Sequence, residues 1–201
     1  MKNAVVSTAQ QASTGLDSKA EGGAKESYTS VNMADVYPTA WYRGAVDYAL
    51  ENNLMSGYNA TTFGPDDSLS RAMVVQVLYN KEGKPALAGK HAFPDVKSGD
   101  WFNNAVAWAA DKKVVGGYGD GRFGPNDNVT LEQIAVILWN YSGNPEPAGG
   151  AAELGPHSDW AANALGWAAG EGLLTGVLYV AVNAPATRAQ TAQILMNYLS
   201  K

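Results

Sequence analysis

Residues 117–138 read GYGDGRFGPNDNVTLEQIAVIL, and residues 57–78 read GYNATTFGPDDSLSRAMVVQVL. Each runs Gly-Tyr, four variable residues, Phe-Gly-Pro, an Asp-containing turn, a hydroxyl residue and then an apolar stretch at helical spacing. The two phrases begin 60 residues apart. A phrase that recurs at such a distance marks tandem structural units. One difference inside it bears on function: the first copy has Arg71 where the second has Leu131.

Working outward, Trp41, Trp101 and Trp160 are spaced by 60 and 59 residues. Each opens a 3.6-period apolar pattern: Ala45, Val46, Ala49, Leu50; Ala105, Val106, Ala109; Ala164, Leu165, Ala168. Gly57, Gly117 and Gly176 follow these patterns and read as helix stops. A second helix then starts at Ser70, Thr130 and Thr187. Thr130 with Gln133, and Thr187 with Gln190, have capping-box spacing, whereas Ser70 has Met73 in the reciprocal place and makes half a box. Gly/Pro-rich connectors at 82–92 and 143–156 separate the units. The expected organisation is a leader over residues 1–32 and repeats at 33–84, 92–144 and 153–200. The leader is rich in Ala, Ser, Thr, Gly and Gln and too poor in apolar residues to offset its ordering entropy. One hairpin of helices has little core of its own. The expected fold is therefore all-α, a pseudo-threefold assembly of three helix–loop–helix repeats around a central three-helix bundle of the second helices.

Composition narrows the function. The 201 residues carry a net charge of −5, with scattered Lys and Arg and no basic stripe, which argues against nucleic acid. No apolar run suits a membrane span, and Lys2 is not followed by the apolar core of a signal peptide. With no Cys, disulfides and thiolate chemistry are excluded. Six Trp and ten Tyr suit either a core or flat, hydroxyl-rich ligands.

The motif residues resemble the S-layer homology (SLH) family. One module reads Phe93-Pro94-Asp95-Val96, Trp101, Gly117-Tyr118, Phe123-Gly124-Pro125 and Thr130. Another reads Ala34-Asp35-Val36, Trp41, Gly57-Tyr58, Phe63-Gly64-Pro65 and Ser70-Arg71-Ala72. A diverged third has Trp160, Gly176, Pro185 and Thr187-Arg188-Ala189-Gln190. The resemblance implies three modules in a spindle around a helical bundle, on the bacterial cell surface. It implies non-covalent binding to secondary cell-wall polysaccharide, commonly one bearing pyruvylated N-acetylmannosamine. It implies ligand residues Arg71, Asp95, Trp101, Gly117 and Tyr118, with Arg188, Asp35, Trp41, Gly57 and Tyr58, and no cofactor or metal. The chemistry is coherent: Arg offers a planar fork to a ketal carboxylate, a helix start adds N–H groups, and aromatic faces pack on sugar rings.

The departures pose a question about geometry. Leu131 cannot grip a carboxylate, and the third unit has Leu154 and Val177 where the others have Asp and Tyr. If a groove belongs to one unit, only Asp35, Trp41, Gly57, Tyr58 and Arg71 form a whole set. If grooves lie between units, Arg71 serves Asp95, Trp101 and Tyr118, and Arg188 serves Asp35, Trp41 and Tyr58. Leu131, Leu154 and Val177 then fall together in one lost groove.

Each feature also has a structural reading. The tryptophans can be core plugs, the Asp residues braces, and the Tyr residues loop closers. Asp120-Gly121-Arg122 lacks the alternating ligands and terminal Glu of a calcium loop. His91 and His157 lie in connectors, and no hydrolase or nucleotide fingerprint is present, so an enzyme is not expected. The alternative to anchoring is a scaffold that uses the same fold for protein–protein contacts after losing its glycan.

Overall fold

In the computed structural model, the described residues are 32–86, 91–147, 151–179 and 181–201. The expected leader lies outside them, apart from Asn32. Six α-helices are present among them: α1 Arg43–Glu51, α2 Arg71–Lys81, α3 Asn103–Asp111, α4 Leu131–Tyr141, α5 Ala162–Gly170 and α6 Arg188–Leu199. Short 3₁₀ turns at Ala151–Leu154 and Asp159–Ala161 precede α5. The described residues form no strand, so the chain is all-α as expected.

The caps follow the sequence. Thr130 and Thr187 make full capping boxes with Gln133 and Gln190, while Ser70 only accepts from the Met73 N–H. The helix stops differ from expectation. The first helices end at Glu51, Asp111 and Gly170, and the residues with positive φ are Asn53, Lys113 and Gly172. Each end closes by a bond from the next residue back into the last turn: Leu54 N to Ala49 O, Val114 N to Ala109 O and Leu173 N to Ala168 O, at 2.9, 2.8 and 2.8 Å. The donors Leu54, Val114 and Leu173 are buried apolar residues, the hydrophobic partner this closure usually takes. Gly57 and Gly117 stop no helix. A Cβ there would stand 2.7 Å from Thr62 O or Arg122 O, so glycine lets two backbone segments approach.

A ring of backbone bonds sets the pseudo-threefold axis. Leu69 N donates to Ala186 O, Ala186 N to Val129 O, and Val129 N to Leu69 O, at 3.1, 2.8 and 2.9 Å. These residues immediately precede the three N-caps, so the starts of α2, α4 and α6 converge. At the far end Tyr141 and Tyr198 meet edge-on at 6.1 Å, and Lys81 Nζ donates to Tyr141 OH at 2.8 Å. Between the ends, Val74, Leu78, Ile134, Leu138, Ile194 and Leu195 are sealed from solvent in one continuous core. The first helices pack outside, each on the second helix of the preceding unit: α3 on α2, α5 on α4, and α1 back on α6. The repeats thus share their core around a closed ring.

Candidate functional site

The junctions between units hold most of the sequence-selected residues. The Phe-Gly-Pro loop of each of the first two units is shaped locally. Gly64 and Gly124 adopt φ of +75° and +71°, and a Cβ would run into the Tyr58 or Tyr118 ring at 2.4 or 2.5 Å. Asp35 accepts from the Phe63 and Gly64 N–H groups at 2.9 and 2.6 Å, and Asp95 from those of Phe123 and Gly124 at 2.9 and 2.8 Å. Burial raises the Asp95 carboxyl pKa, but those two N–H donors outweigh it and leave it below the ordinary carboxylate value. Both carboxylates therefore brace a loop.

Each braced loop receives an arginine from another unit. Arg71 Nε donates to Phe123 O at 3.0 Å and Nη2 reaches Gly116 O at 3.4 Å, with the guanidinium carbon 4.8 Å from the Tyr118 ring centre and 5.0 Å from that of Phe123. Arg188 repeats this on the first unit: Nε to Phe63 O at 2.8 Å, Nη2 to Ser56 O at 2.6 Å, and rings Tyr58 and Phe63 at 4.8 and 4.5 Å. The arrangement is between units. Arg71 sits on Tyr118 of the second repeat, not on Tyr58 of its own.

The helix N-termini differ from expectation. The first N–H groups of α2 and α6 are already spent on the neighbouring loop: Arg71 and Ala72 on Asp127 O and Pro125 O, Arg188 and Ala189 on Asp67 O and Pro65 O. They offer no free donors to a ligand. What remains is the guanidinium. Arg71 and Arg188 are only 7% and 6% exposed, and neither forms an ion pair with a described carboxylate. Burial pushes both guanidinium pKa values down, with nearby Tyr and Asp groups opposing it. In each, Nη1 makes no hydrogen bond to a described residue, and since no buried side-chain N or O is left unsatisfied among the described residues, Nη1 keeps some contact with solvent.

A cleft of about 350 Å³ opens beside Arg71. The Gly116–Gly119 backbone and Tyr118 form one wall, Val136 and Ile137 of α4 the floor, and Trp160 of the third unit an edge. Trp160 is 58% exposed. The counterpart beside Arg188 is about 30 Å³, against Met55, Ser56, Met73 and Gln76. Of the sequence candidates, Arg71, Gly117 and Tyr118 line the larger cleft and Arg188 the smaller. Asp35, Asp95, Gly57 and Tyr58 stand behind them as loop supports. Trp41 and Trp101 line neither cleft; they pack edge-on against Tyr42 and Phe102 at 5.4 and 5.1 Å. The tryptophan at the Arg71 cleft is Trp160, one unit further round than the spacing suggests.

The third junction is built differently. Leu131 and Val177 are buried, and Leu154 packs against the core. Glu132, 4% exposed, accepts from Ser158 N and Oγ at 2.9 and 3.0 Å, and its own N–H donates to Val182 O. Glu132 occupies the register of Ala72 and Ala189. That change from Ala was the available sequence signal for this contact.

Three helical hairpins closed into a pseudo-threefold ring, with arginine clefts at two of three junctions, define an all-α repeat module. The family model described as S-layer homology domain matches residues 32–72, 92–135 and 154–192, and the chain belongs to that family. It is 30% identical over 200 residues to an exoglucanase, XynX, of Acetivibrio thermocellus, covering 92% of this chain and 18% of that protein. It is 32% identical over 105 residues to an endoglucanase of Bacillus sp. strain KSM-635, covering 52% and 11%. A cellulosome-anchoring protein of Acetivibrio thermocellus is 30% identical over 128 residues, covering 61% and 28%. The chain thus spans a small part of each relative, between 11% and 28% of its length.

Proposed function

We propose that this chain is a non-covalent cell-surface anchoring module. It binds an anionic cell-wall polysaccharide in clefts between repeats, with a pyruvate ketal on an amino sugar as the recognised group. One observation carries this reading: a nearly buried guanidinium at an open junction, bonded to neutral carbonyls and set against aromatic rings, with Asp95 and Asp127 near enough to act on it but not ion-paired to it. Buried charges are ordinarily paired, so a single external carboxylate is the missing partner. Arg71 Nη1 donates to that carboxylate, and the negative faces of Tyr118 and Phe123 hold the cation in place. The apolar floor of Val136 and Ile137 takes the methyl and ring C–H surface of the sugar. SLH membership and the anchoring relative support attachment to the cell surface or wall. No described helix is long and apolar enough to cross a membrane.

The reaction to test is binding. Titration calorimetry with a pyruvylated N-acetylmannosamine glycoside, beside the same sugar without pyruvate, is expected to give heat with the first only. Equal affinity for both, or for neither from a folded sample, would sink the carboxylate reading. Co-sedimentation with wall polymer before and after removal of pyruvate distinguishes anchoring from a protein-contact scaffold, which would ignore the change.

A further inference from the structure

We infer that the module is monovalent as folded: the Arg71 cleft is its one glycan site, and the Arg188 cleft is shut by its own wall. The inference rests on the anchoring reading above and adds which junction binds.

The two clefts have equivalent frames, since Arg71 and Arg188, Gly116 and Ser56, and Val136 and Gln76 stand in matching registers. They differ in what fills them. Beside Arg71 the wall is bare backbone at Gly116 and the floor is Val136. Beside Arg188 the lining carries Ser56, Met55 in place of Val115, and Gln76, each longer than its counterpart. Gln76 is nearly buried and its Nε2 bonds Asn80 Oδ1, one turn along the same helix, at 2.8 Å, which holds it in place at the cleft. The space left differs accordingly, about 350 Å³ beside Arg71 against about 30 Å³ beside Arg188. A sugar ring needs far more than the space of one water, whose share of the liquid is about 30 Å³.

The arginines point the same way. Arg188 Nη2 sits 2.6 Å from Ser56 O, a firm bond, whereas Arg71 Nη2 lies 3.4 Å from Gly116 O, at the limit of bonding. Arg188 keeps Nη1 alone, because its Nη2 is held by its own protein. Arg71 retains Nη1 and a weakly held Nη2, enough for a two-pronged grip on a carboxylate.

The test exchanges the walls. Calorimetry with the pyruvylated N-acetylmannosamine glycoside should give one site per chain in the unaltered protein. Gly116→Ser with Val136→Gln should weaken binding at least tenfold without unfolding, because a Cβ at Gly116 meets nothing within 4 Å and Val136 is partly exposed. Met55→Val with Ser56→Gly and Gln76→Val should raise the stoichiometry to two. Two sites in the unaltered chain, or undiminished binding when the Arg71 cleft is filled, overturns the inference and leaves anchoring standing. No binding by any of the three folded proteins overturns the anchoring reading itself.

Discussion

Asp95 is the sharpest point at which a binding role and a bracing role separate. Its carboxylate holds the Phe123 and Gly124 N–H groups at 2.9 and 2.8 Å, and Phe123 is fully buried. Asp95→Ala leaves both donors without a partner. A buried donor left unsatisfied costs about 1–3 kcal/mol. Water reaches the half-exposed Asp95 position and will recover part of this, so about 3 kcal/mol for the pair is a fair expectation. At roughly 2–4 °C per kcal/mol for a domain of this size, the melting midpoint should drop by roughly 6–12 °C. Thermal and urea unfolding followed by far-UV circular dichroism measure this directly. Asp95→Asn retains one acceptor and should lose about half as much. The pH dependence has a defined sign. The folded Asp95 pKa lies below its ordinary value of 3.8, so its stabilisation is complete above the unfolded pKa and disappears as pH falls through the folded one. The Asp95→Ala and parent midpoints should therefore converge in acid. An Asp95→Ala chain with an unchanged midpoint but no glycan binding would refute the brace and return Asp95 to the ligand surface.

Two further perturbations follow from close contacts. Gly117→Ala puts a Cβ 2.7 Å from Arg122 O and 2.8 Å from the Phe93 ring, so it should cost about 1–3 kcal/mol as overpacking, while Gly116→Ala, facing open space, should leave the unfolding midpoint unchanged. Glu132→Ala removes the acceptor of Ser158 N and Oγ, and should cost about 2 kcal/mol and speed amide exchange around Ser158–Ala161. Slower or equal exchange there would show that Glu132 does not hold the third junction.

The architecture was legible because its signals are local. Apolar residues at helical spacing, Thr–Gln capping boxes and a recurring tryptophan are each written within one turn or one repeat, and the structure keeps them. The features that escaped are contacts through space. Gly57 and Gly117 read as helix stops because they follow an apolar run, but their partners are the backbone at Thr62 and Arg122 on the far side of a loop. The N–H groups of α2 and α6 look free in the sequence, and loop carbonyls of another unit take them. Trp160 joins the Arg71 cleft because α5 packs on α4, so the edge tryptophan comes from the unit after the one supplying the loop. Repeat order tells which units are neighbours; it does not tell which edge of a helix faces the junction.

The third junction shows what the other two give up. At Leu131 the ring closes with a fully buried aliphatic side chain, which contributes about 1.5–3 kcal/mol by burial. At Arg71 and Arg188 the same register holds a guanidinium stripped of most of its water, a desolvation penalty of several kcal/mol that carbonyl and ring contacts offset only in part. On folding grounds alone Leu is the better residue, and its presence at one junction shows that the ring tolerates it. Arg188 meets that penalty with a firm bond to Ser56 O, whereas Arg71 has only a long one to Gly116 O, so at the open junction the carboxylate ligand proposed above is the compensating partner. Arg71→Leu follows as the decisive substitution. It forfeits the bonds to Phe123 O and Gly116 O, about 1–3 kcal/mol, and recovers the desolvation penalty and the apolar burial. The chain should come out as stable as the parent or slightly more so, with glycan binding abolished. If Arg71→Leu instead destabilises the fold by more than about 2 kcal/mol, beyond the range that exchange allows, the arginine is a structural stitch first, and its survival needs no ligand to explain it.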